Sequence, residues 1–380
     1  MINNQDGIQG SRYQECDVTN TIWHHRRVKH EYPERSLRPL PSLADKRPRE
    51  VPAYHQYRHV KKLNSGGEGT TVLVEHRRSR KLVAVKSVHQ PEIINGVPKE
   101  AFIFSQLDHS RHFHPNIIVL EHWNYNLTFV APFAEYWLEY CEYGDLCDMM
   151  GRYLDHDARI PEMLIFHIYL QMASALEYLH EGFYVDSFAN RTSGSSPRRS
   201  HAPGIVHRDV KPDNILVRAP RRSYPNNVAD GRATYPDFVL GDFGHATLEQ
   251  FTYATCGTPS YSPPEIPRKG PKGDVYSLGA VIHCLIHEGD KPIGPMPSSY
   301  PQTSEGIVSW EKRPEARSPK AVPSFYSVWL EHAMMFALKQ EAKRPYASLM
   351  VDILEEDQRC ARMELSGALE QELPLWAPGD

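Results

Sequence analysis

The stretch His207-Arg208-Asp209-Val210-Lys211-Pro212-Asp213-Asn214 places a carboxylate, an ammonium and a carboxamide in one short loop. Phosphoryl transfer needs an acceptor for a hydroxyl proton, a cation near the migrating phosphate, and a metal ligand. Asp209, Lys211 and Asn214 supply these three in turn. An isolated H-R-D is common, whereas the whole octet is specific. Gly241-Asp242-Phe243-Gly244 follows the strand-like Phe238-Val239-Leu240. There Asp242 would bind Mg²⁺ bridging two phosphates, and the flanking glycines would let the backbone pivot.

Upstream, Asn64-Ser65-Gly66-Gly67-Glu68-Gly69 joins two strand-like runs. Gly66 and Gly69 leave backbone amides free of Cβ bulk, able to close over phosphates, although glycine clusters are ordinarily plain turns. The following run, Val83-Ala84-Val85-Lys86, strengthens the phosphate reading. Side chains alternate along a strand, so Ala84 and Lys86 share a face. Ala84 would leave room for a purine, and Lys86 would reach its phosphates. A lone strand lysine is normally a solvated edge charge; here Glu100, on the next helical segment, would hold it.

These residues need a frame. Short β-rich runs at 70–75 and 81–88 flank the turn-like His76-Arg77-Arg78-Ser79-Arg80 and read as a hairpin. Residues 98–107 read as a helix, with Glu100, Phe104 and Leu107 on one face. Strands are expected at 117–122 and 136–140. Beyond Cys141 the chain turns helical, with helices at 163–180, 274–287, 324–339 and 346–363. The second of these is apolar on most faces, the mark of a buried element. The expected fold is α+β and bilobal: a small antiparallel-sheet lobe, then a larger helical lobe, with the ligand in the crevice.

The domain is expected over 56–357, with the sheet lobe at 56–140 and the helical lobe at 141–357. A polar, proline-bearing arm at 1–55 reads as disordered, and 358–380 as a C-terminal tail. Loop insertions are expected near 186–203, 220–236 and 288–321. The basic run His24-His25-Arg26-Arg27-Val28-Lys29-His30 reads as a solvated tail, with a nuclear address or an anion-docking site as alternatives.

The net charge of -4 gives no reason to expect nucleic-acid or membrane-surface binding. No apolar run approaches a membrane span, and the start is unlike a signal peptide. The six cysteines form no C-x-x-C pair and read as reduced thiols of an intracellular protein, in the cytoplasm or the nucleus.

Taken together, these motifs resemble the eukaryotic protein kinase family, serine/threonine type, over about 57–356. The order is that of the family: glycine loop, Lys86, Glu100, catalytic loop, D-F-G, then an activation segment. The resemblance implies ATP as substrate, Mg²⁺ as metal and proteins as acceptors. It makes Lys86 and Glu100 the ion pair of the active state, Asp209 the catalytic base and Lys211 a phosphate ligand. Asn214 and Asp242 become the metal ligands. Leu138 falls at the gatekeeper position, and Glu139-Tyr140-Cys141 resembles the hinge that hydrogen-bonds adenine. Asp145 sits at the ribose position and Leu216 at the adenine floor. Phe104, Leu120, His207 and Phe243 would stack between the lobes. Glu265 would pair with Arg344, and Asp274 would brace the catalytic loop.

Lys211 two residues after Asp209, together with Gly257-Thr258-Pro259, resembles serine/threonine rather than tyrosine members. Small-molecule kinases of this fold usually lack the G-T-P-x-Y segment. Three positions depart from the family: Asn64 for the first loop glycine, Thr71 for the valine over adenine, and Pro263 for the alanine of A-P-E. None removes a reacting group. The alternative is a catalytically silent scaffold of the same fold, whose usual mark is loss of Lys86, Asp209 or Asp242; all three are present. Arg208 beside Asp209 implies a phosphate on the activation segment, at Thr252, Tyr253 or Thr255, or else order without phosphorylation.

Overall fold

A computed structural model describes residues 54–66, 69–107, 114–126, 132–181, 204–220, 235–252, 256–265, 270–301 and 303–364. The β-branched and aromatic runs of the first third pair as five antiparallel strands. They are β1 (Tyr57–Gly66), β2 (Gly69–His76), β3 (Leu82–His89), β6 (Leu120–Asn126) and β7 (Phe133–Glu139), in the spatial order β1-β2-β3-β7-β6. A small ladder of β4 (Ile93–Ile94) and β5 (Val97–Pro98) leads into helix α1 (Lys99–Gln106).

Alternation gives the sheet two apolar faces. On one, Val83, Val85 and Trp137 are buried, with Tyr57, Val72 and Val74 packed against them. On the other, Ala134 and Tyr136 meet Ala101 of α1, with Val88, Leu120, Trp123, Tyr125 and Leu138 around them. The Tyr54 ring lies 5.5 Å from Trp137 and the Tyr57 ring 4.9 Å from it. Tyr54 also hydrogen-bonds Glu135. Tyr54, inside the arm expected over 1–55, is thus held by an aromatic contact and a hydrogen bond; positions 1–53, including the basic run at 24–30, lie outside the described residues.

The second lobe is built on α2 (Leu146–Asp155), α3 (Glu162–Glu181), α4 (Pro271–Ile286), α5 (Ser304–Glu311), α6 (Val328–Ala337) and α7 (Ala347–Glu364). As its composition predicts, α4 is buried along almost its whole length. It begins after Gly270 with Pro271 and Asp274 in its first turn, and packs against α3 and α6. Two short ladders, β8 (Ile205–Val206) with β11 (Thr247–Leu248) and β9 (Ile215–Arg218) with β10 (Asp237–Leu240), hold the loops above the helices.

The strands expected at 117–122 and 136–140 are displaced to β6 and β7, because pairing rather than local composition sets their ends. Helix α2 was not expected. Its signal is Leu146, Met149, Met150 and Tyr153, buried at helical spacing behind a reciprocal Asp145–Asp148 capping box. The stretch at 288–321, expected as a loop, contains α5. Thr303 caps that helix by accepting from the Gly306 N–H at 3.2 Å, and the buried Trp310 donates through Nε1 to the Gly294 carbonyl at 3.0 Å. Helix α7 continues through the expected tail boundary at 358, with Ala361 buried. The other two expected insertions lie mostly outside the described residues.

Trp137 is the largest side chain buried on the outer sheet face. Trp137→Ala should lower the unfolding free energy by about 3 kcal/mol, by loss of burial and the cavity left behind. A denaturant titration would show this as a shifted midpoint at unchanged slope.

Candidate active site

The catalytic loop is fixed from below by one buried carboxylate. Asp274, at the start of α4, accepts the main-chain N–H of His207 at 2.7 Å and of Arg208 at 2.8 Å. The His180 ring of α3 lies 2.9 Å from the same carboxylate. This bracing accompanies a left-handed backbone at Arg208 (φ 69°), a conformation rarely taken by non-glycine residues. The His207 ring reaches the Gly241 carbonyl at 2.9 Å and packs edge-on against Phe243, centroids 5.0 Å apart. Phe243 in turn lies 5.0 Å from Phe104 of α1. The expected stack is thus continuous through these three, while Leu120 joins the inner cluster of the sheet.

Asp209 projects from this loop with both oxygens engaged. Oδ1 accepts from the Thr258 backbone N–H at 2.7 Å and from its hydroxyl at 2.8 Å. Oδ2 accepts from Asn214 Nδ2 at 3.0 Å and lies 3.3 Å from Lys211 Nζ. Burial pushes the Asp209 carboxyl up, but Lys211 and the Thr258 hydrogen bonds more than offset it, holding the group below its ordinary range. Asp209 is therefore an ionised acceptor beside an ammonium.

Lys86 on β3 links the lobes. Its Nζ lies 3.1 Å and 3.3 Å from the two Glu100 oxygens and 2.7 Å from Asp242 Oδ1. Burial alone would lower the Lys86 pKa, but the carboxylates reverse this and raise it, so the ammonium is retained. Burial likewise acts to raise Asp242, yet Lys86 outweighs it and holds that carboxyl down at about 2. Glu100, fully enclosed, is pushed upward by burial against the pull of Lys86. Asp242 has left-handed backbone (φ 54°) and takes the Gly244 N–H at 3.2 Å.

The residues expected to face a nucleotide lie on β1, β2, β3, β7 and β9 and at positions 141 and 145. In the sheet register Asn64 opposes Thr71, Thr71 opposes Lys86, and Ala84 opposes Leu138. Gly66 pairs with Gly69, and a Cβ at Gly69 would strike the Ser87 carbonyl, so that glycine is required by packing whatever it binds. Gly67 and Glu68 lie outside the described residues. Cys141 is buried, and a bridge joins Asp145 to Leu216. The Glu139 carboxylate is committed to the Val119 N–H at 3.0 Å and Arg218 Nη1 at 2.8 Å, and the Glu139 N–H donates in turn to the Val119 carbonyl at 3.0 Å. One Asp145 oxygen caps α2 through the Asp148 N–H at 2.9 Å. Burial, reinforced by Asp148 and Asp213, lifts the Asp145 carboxyl to about 6.

The Glu265–Arg344 ion pair is present, with Arg344 wholly enclosed and also donating to the Lys272 carbonyl at 3.0 Å. Two residues outside the expected site belong to it. Thr258 was read only as a class marker, yet it holds the Asp209 carboxylate. Arg218 pins the hinge glutamate, and its only sequence signal is a basic residue closing the apolar Ile215-Leu216-Val217 strand.

The sequence profile described as the protein kinase domain matches residues 57–185 and 198–371. The chain belongs to the protein kinase domain family. It is 29% identical over 243 residues to a G2-specific protein kinase, fin1, of Schizosaccharomyces pombe, covering 61% of this chain and 30% of that protein. It is 29% identical over 242 residues to NUAK family SNF1-like kinase 2 of Rattus norvegicus, covering 61% and 31%. Against serine/threonine-protein kinase ATG1a of Arabidopsis thaliana it is 28% identical over 235 residues, covering 59% and 30%. The chain thus spans about a third of the length of these relatives. The kinase-domain match skips 186–197, within the stretch read from composition as inserted.

Lys86→Met leaves two carboxylates facing each other without a cation. It should cost about 3 kcal/mol at pH 7, the penalty for breaking a buried pair. The depressed pKa of Asp242 gives wild type a stabilisation present above pH ~4 and lost as pH falls through about 2. In the variant the same carboxyls protonate more readily, so the gap between the two proteins should narrow from pH 7 to 4. Chemical denaturation at both pH values measures this, and a constant gap would contradict the assignment.

Proposed function

We propose that this kinase domain is catalytically active and transfers the γ-phosphoryl group of ATP to serine or threonine hydroxyls of proteins, with Mg²⁺. The reading is carried by one observation: Lys86 is paired with both Glu100 and Asp242 while Thr258 secures Asp209. This is the assembled arrangement rather than a dismantled one. A scaffold of the same fold has no need to retain all of these contacts.

In this reading Lys86, neutralised on one side by Glu100, contacts the inner phosphates of the nucleotide. Ala84, Leu138, Cys141 and Leu216 surround the purine, Thr71 covers it, and Asp145 reaches the ribose with the oxygen not used as a cap. Gly66, Gly69 and Asn64 shape the loop above the phosphates. Asp209 accepts the hydrogen bond of the acceptor hydroxyl and points its oxygen at phosphorus, and Lys211 balances the charge that develops.

The donor set fits Mg²⁺. Asn214 spends its amide N–H groups on Asp209, at 2.8 Å to the carbonyl and 3.0 Å to Oδ2, which leaves its amide oxygen as a hard donor alongside the Asp242 carboxylate. When bound, the ion would offset charge on the phosphates. Among the described residues no helix is long and apolar enough to cross a membrane.

The test is transfer from labelled ATP with Mg²⁺ to a panel of casein, histone and myelin basic protein, followed by phosphoamino-acid analysis. Label should appear on serine or threonine. It should fall about a thousandfold in Asp209→Asn and about a hundredfold in Lys86→Met. Folded protein that binds ATP and transfers nothing would favour the scaffold.

Phosphate control of the activation segment is a separate matter. Thr252 is buried, Tyr253 and Thr255 lie outside the described residues, and Arg208 Nε donates to the His245 carbonyl at 2.7 Å. Gly257–Glu265 is held by Thr258, by Arg344 and by Ser262 Oγ donating to the Thr258 carbonyl at 2.9 Å, contacts that need no phosphate. Combining Thr252→Ala, Tyr253→Phe and Thr255→Ala should therefore leave at least about half of wild-type activity. A tenfold loss in the same assay would establish phosphate control.

A further inference from the structure

The segment 257–265 begins at Thr258, which is bonded to Asp209, so any polypeptide presenting a hydroxyl to Asp209 must run beside Pro259, Ser260, Tyr261 and Ser262. What fixes the shape of that edge comes from the stretch whose composition suggested only a proline-rich loop. Arg317 donates through Nε to the Ser262 carbonyl at 2.9 Å and through Nη2 to the Pro259 carbonyl at 3.0 Å. Through Nη1 it donates to the Glu311 carbonyl at 2.8 Å, at the end of α5. The Glu311 carboxylate completes the frame by accepting from Ser260 Oγ at 3.2 Å. One planar guanidinium thus ties two carbonyls of the segment to the helix beside it.

The clamp is itself anchored. Arg317 forms a β-bridge with Ile293, the Gly294 N–H reaches the Ala316 carbonyl at 2.8 Å, and the Ser318 N–H reaches the Pro292 carbonyl at 3.0 Å. Trp310 secures α5 to the same Gly294. The Arg317 side chain is half-buried and stands apart from the nucleotide-side residues; it has no bond to Lys86, Asp209, Asn214 or Asp242. A lysine, with its donors on a single nitrogen, cannot reproduce a fork that spans separate carbonyls.

We propose that Arg317, supported by Glu311, is a positioning residue that sets the acceptor-polypeptide edge of the site, acting through Pro259 and Ser262 rather than on the reacting groups. The proposal rests on the kinase reading above and adds a determinant that acts on the protein substrate alone. Loss of the fork removes the Arg317 donor from the Ser262 carbonyl and leaves the Pro259 carbonyl with the Ser262 N–H alone, without disturbing Lys86 or Asp242. Acceptor binding weakens, and nucleotide handling does not.

The experiment compares full-length wild type, Arg317→Gln and Arg317→Lys, with Arg359→Gln as an exposed-arginine control. KM for the best acceptor of the casein, histone and myelin basic protein panel, KM for ATP, and acceptor-free ATP hydrolysis are each measured, with thermal melts to verify folding. Arg317→Gln should raise the acceptor KM about tenfold, the scale set by losing charge-assisted hydrogen bonds. KM for ATP and acceptor-free hydrolysis should stay within about twofold of wild type, and Arg317→Lys should fall between the two proteins. An unchanged acceptor KM, or a parallel loss in ATP hydrolysis, overturns the proposal. Should Arg317→Gln fail to fold, Arg317→Lys decides by the same criterion. Wild type that binds ATP yet labels no acceptor defeats the kinase reading itself, and this proposal with it.

Discussion

One buried carboxylate organises the chemistry of this domain. Asp274 places a carboxyl in the interior of the helical lobe, where an unpartnered polar group would be costly, and two main-chain N–H groups and the His180 ring partner it. Those N–H groups belong to His207 and Arg208, so the same bonds that satisfy Asp274 set the path of the catalytic loop. The left-handed turn at Arg208 is retained because the surroundings over-determine it. From that turn Asp209, Lys211 and Asn214 diverge in fixed directions, and the His207 ring props Phe243 against Phe104. A helix start in the core thereby reaches α1 of the other lobe through contacts among three aromatic rings.

Electrostatics then assigns different work to similar side chains. Asp209 is buried and Asp242 partly so, and burial by itself would raise the pKa of each. Both remain ionised because each has its own ammonium: Lys211 for one, Lys86 for the other. Asp145 is pushed up to about 6 by burial, with the neighbouring carboxylates of Asp148 and Asp213 adding to it. The sequence offers three aspartates near glycines and lysines; only their neighbours in space decide which one titrates close to neutrality.

Legibility followed the range of the interaction. The candidate reacting groups were readable because they occur in short contiguous motifs whose spacing the chemistry dictates, and the hairpin of β2 and β3 was readable from two β-rich runs flanking a turn-like basic stretch. Helix α4 announced itself by apolar composition. The ends of β6 and β7 were not readable, since pairing across the sheet moves them. Helix α5 was hidden by flanking prolines, and its signals, the Thr303 cap and the anchoring Trp310, have meaning only once Gly294 is brought alongside. Thr258 was legible as a motif but not as a ligand of Asp209, across 49 positions of sequence. Arg317 was not legible, and Arg218 showed only as a basic residue closing an apolar strand: the groups each one holds lie mostly far away along the chain, so sequence alone does not mark the role.

The charge balance of the crevice limits what can occupy it. Glu100, Asp209 and Asp242 stand against Lys86 and Lys211, so the described reacting groups leave an excess of negative charge where a polyphosphate would have to sit. Two ammoniums already shared with carboxylates cannot compensate a triphosphate. In a site of reduced dielectric that imbalance would be more damaging than in water. The imbalance is relieved if the Asp242 carboxylate and the Asn214 amide oxygen hold a divalent cation, which turns acidic groups that would repel phosphate into the means of attaching it. On the proposed function, the excess of carboxylates and the asparagine at position 214 would have one explanation: a site completed by a nucleotide that brings its metal with it.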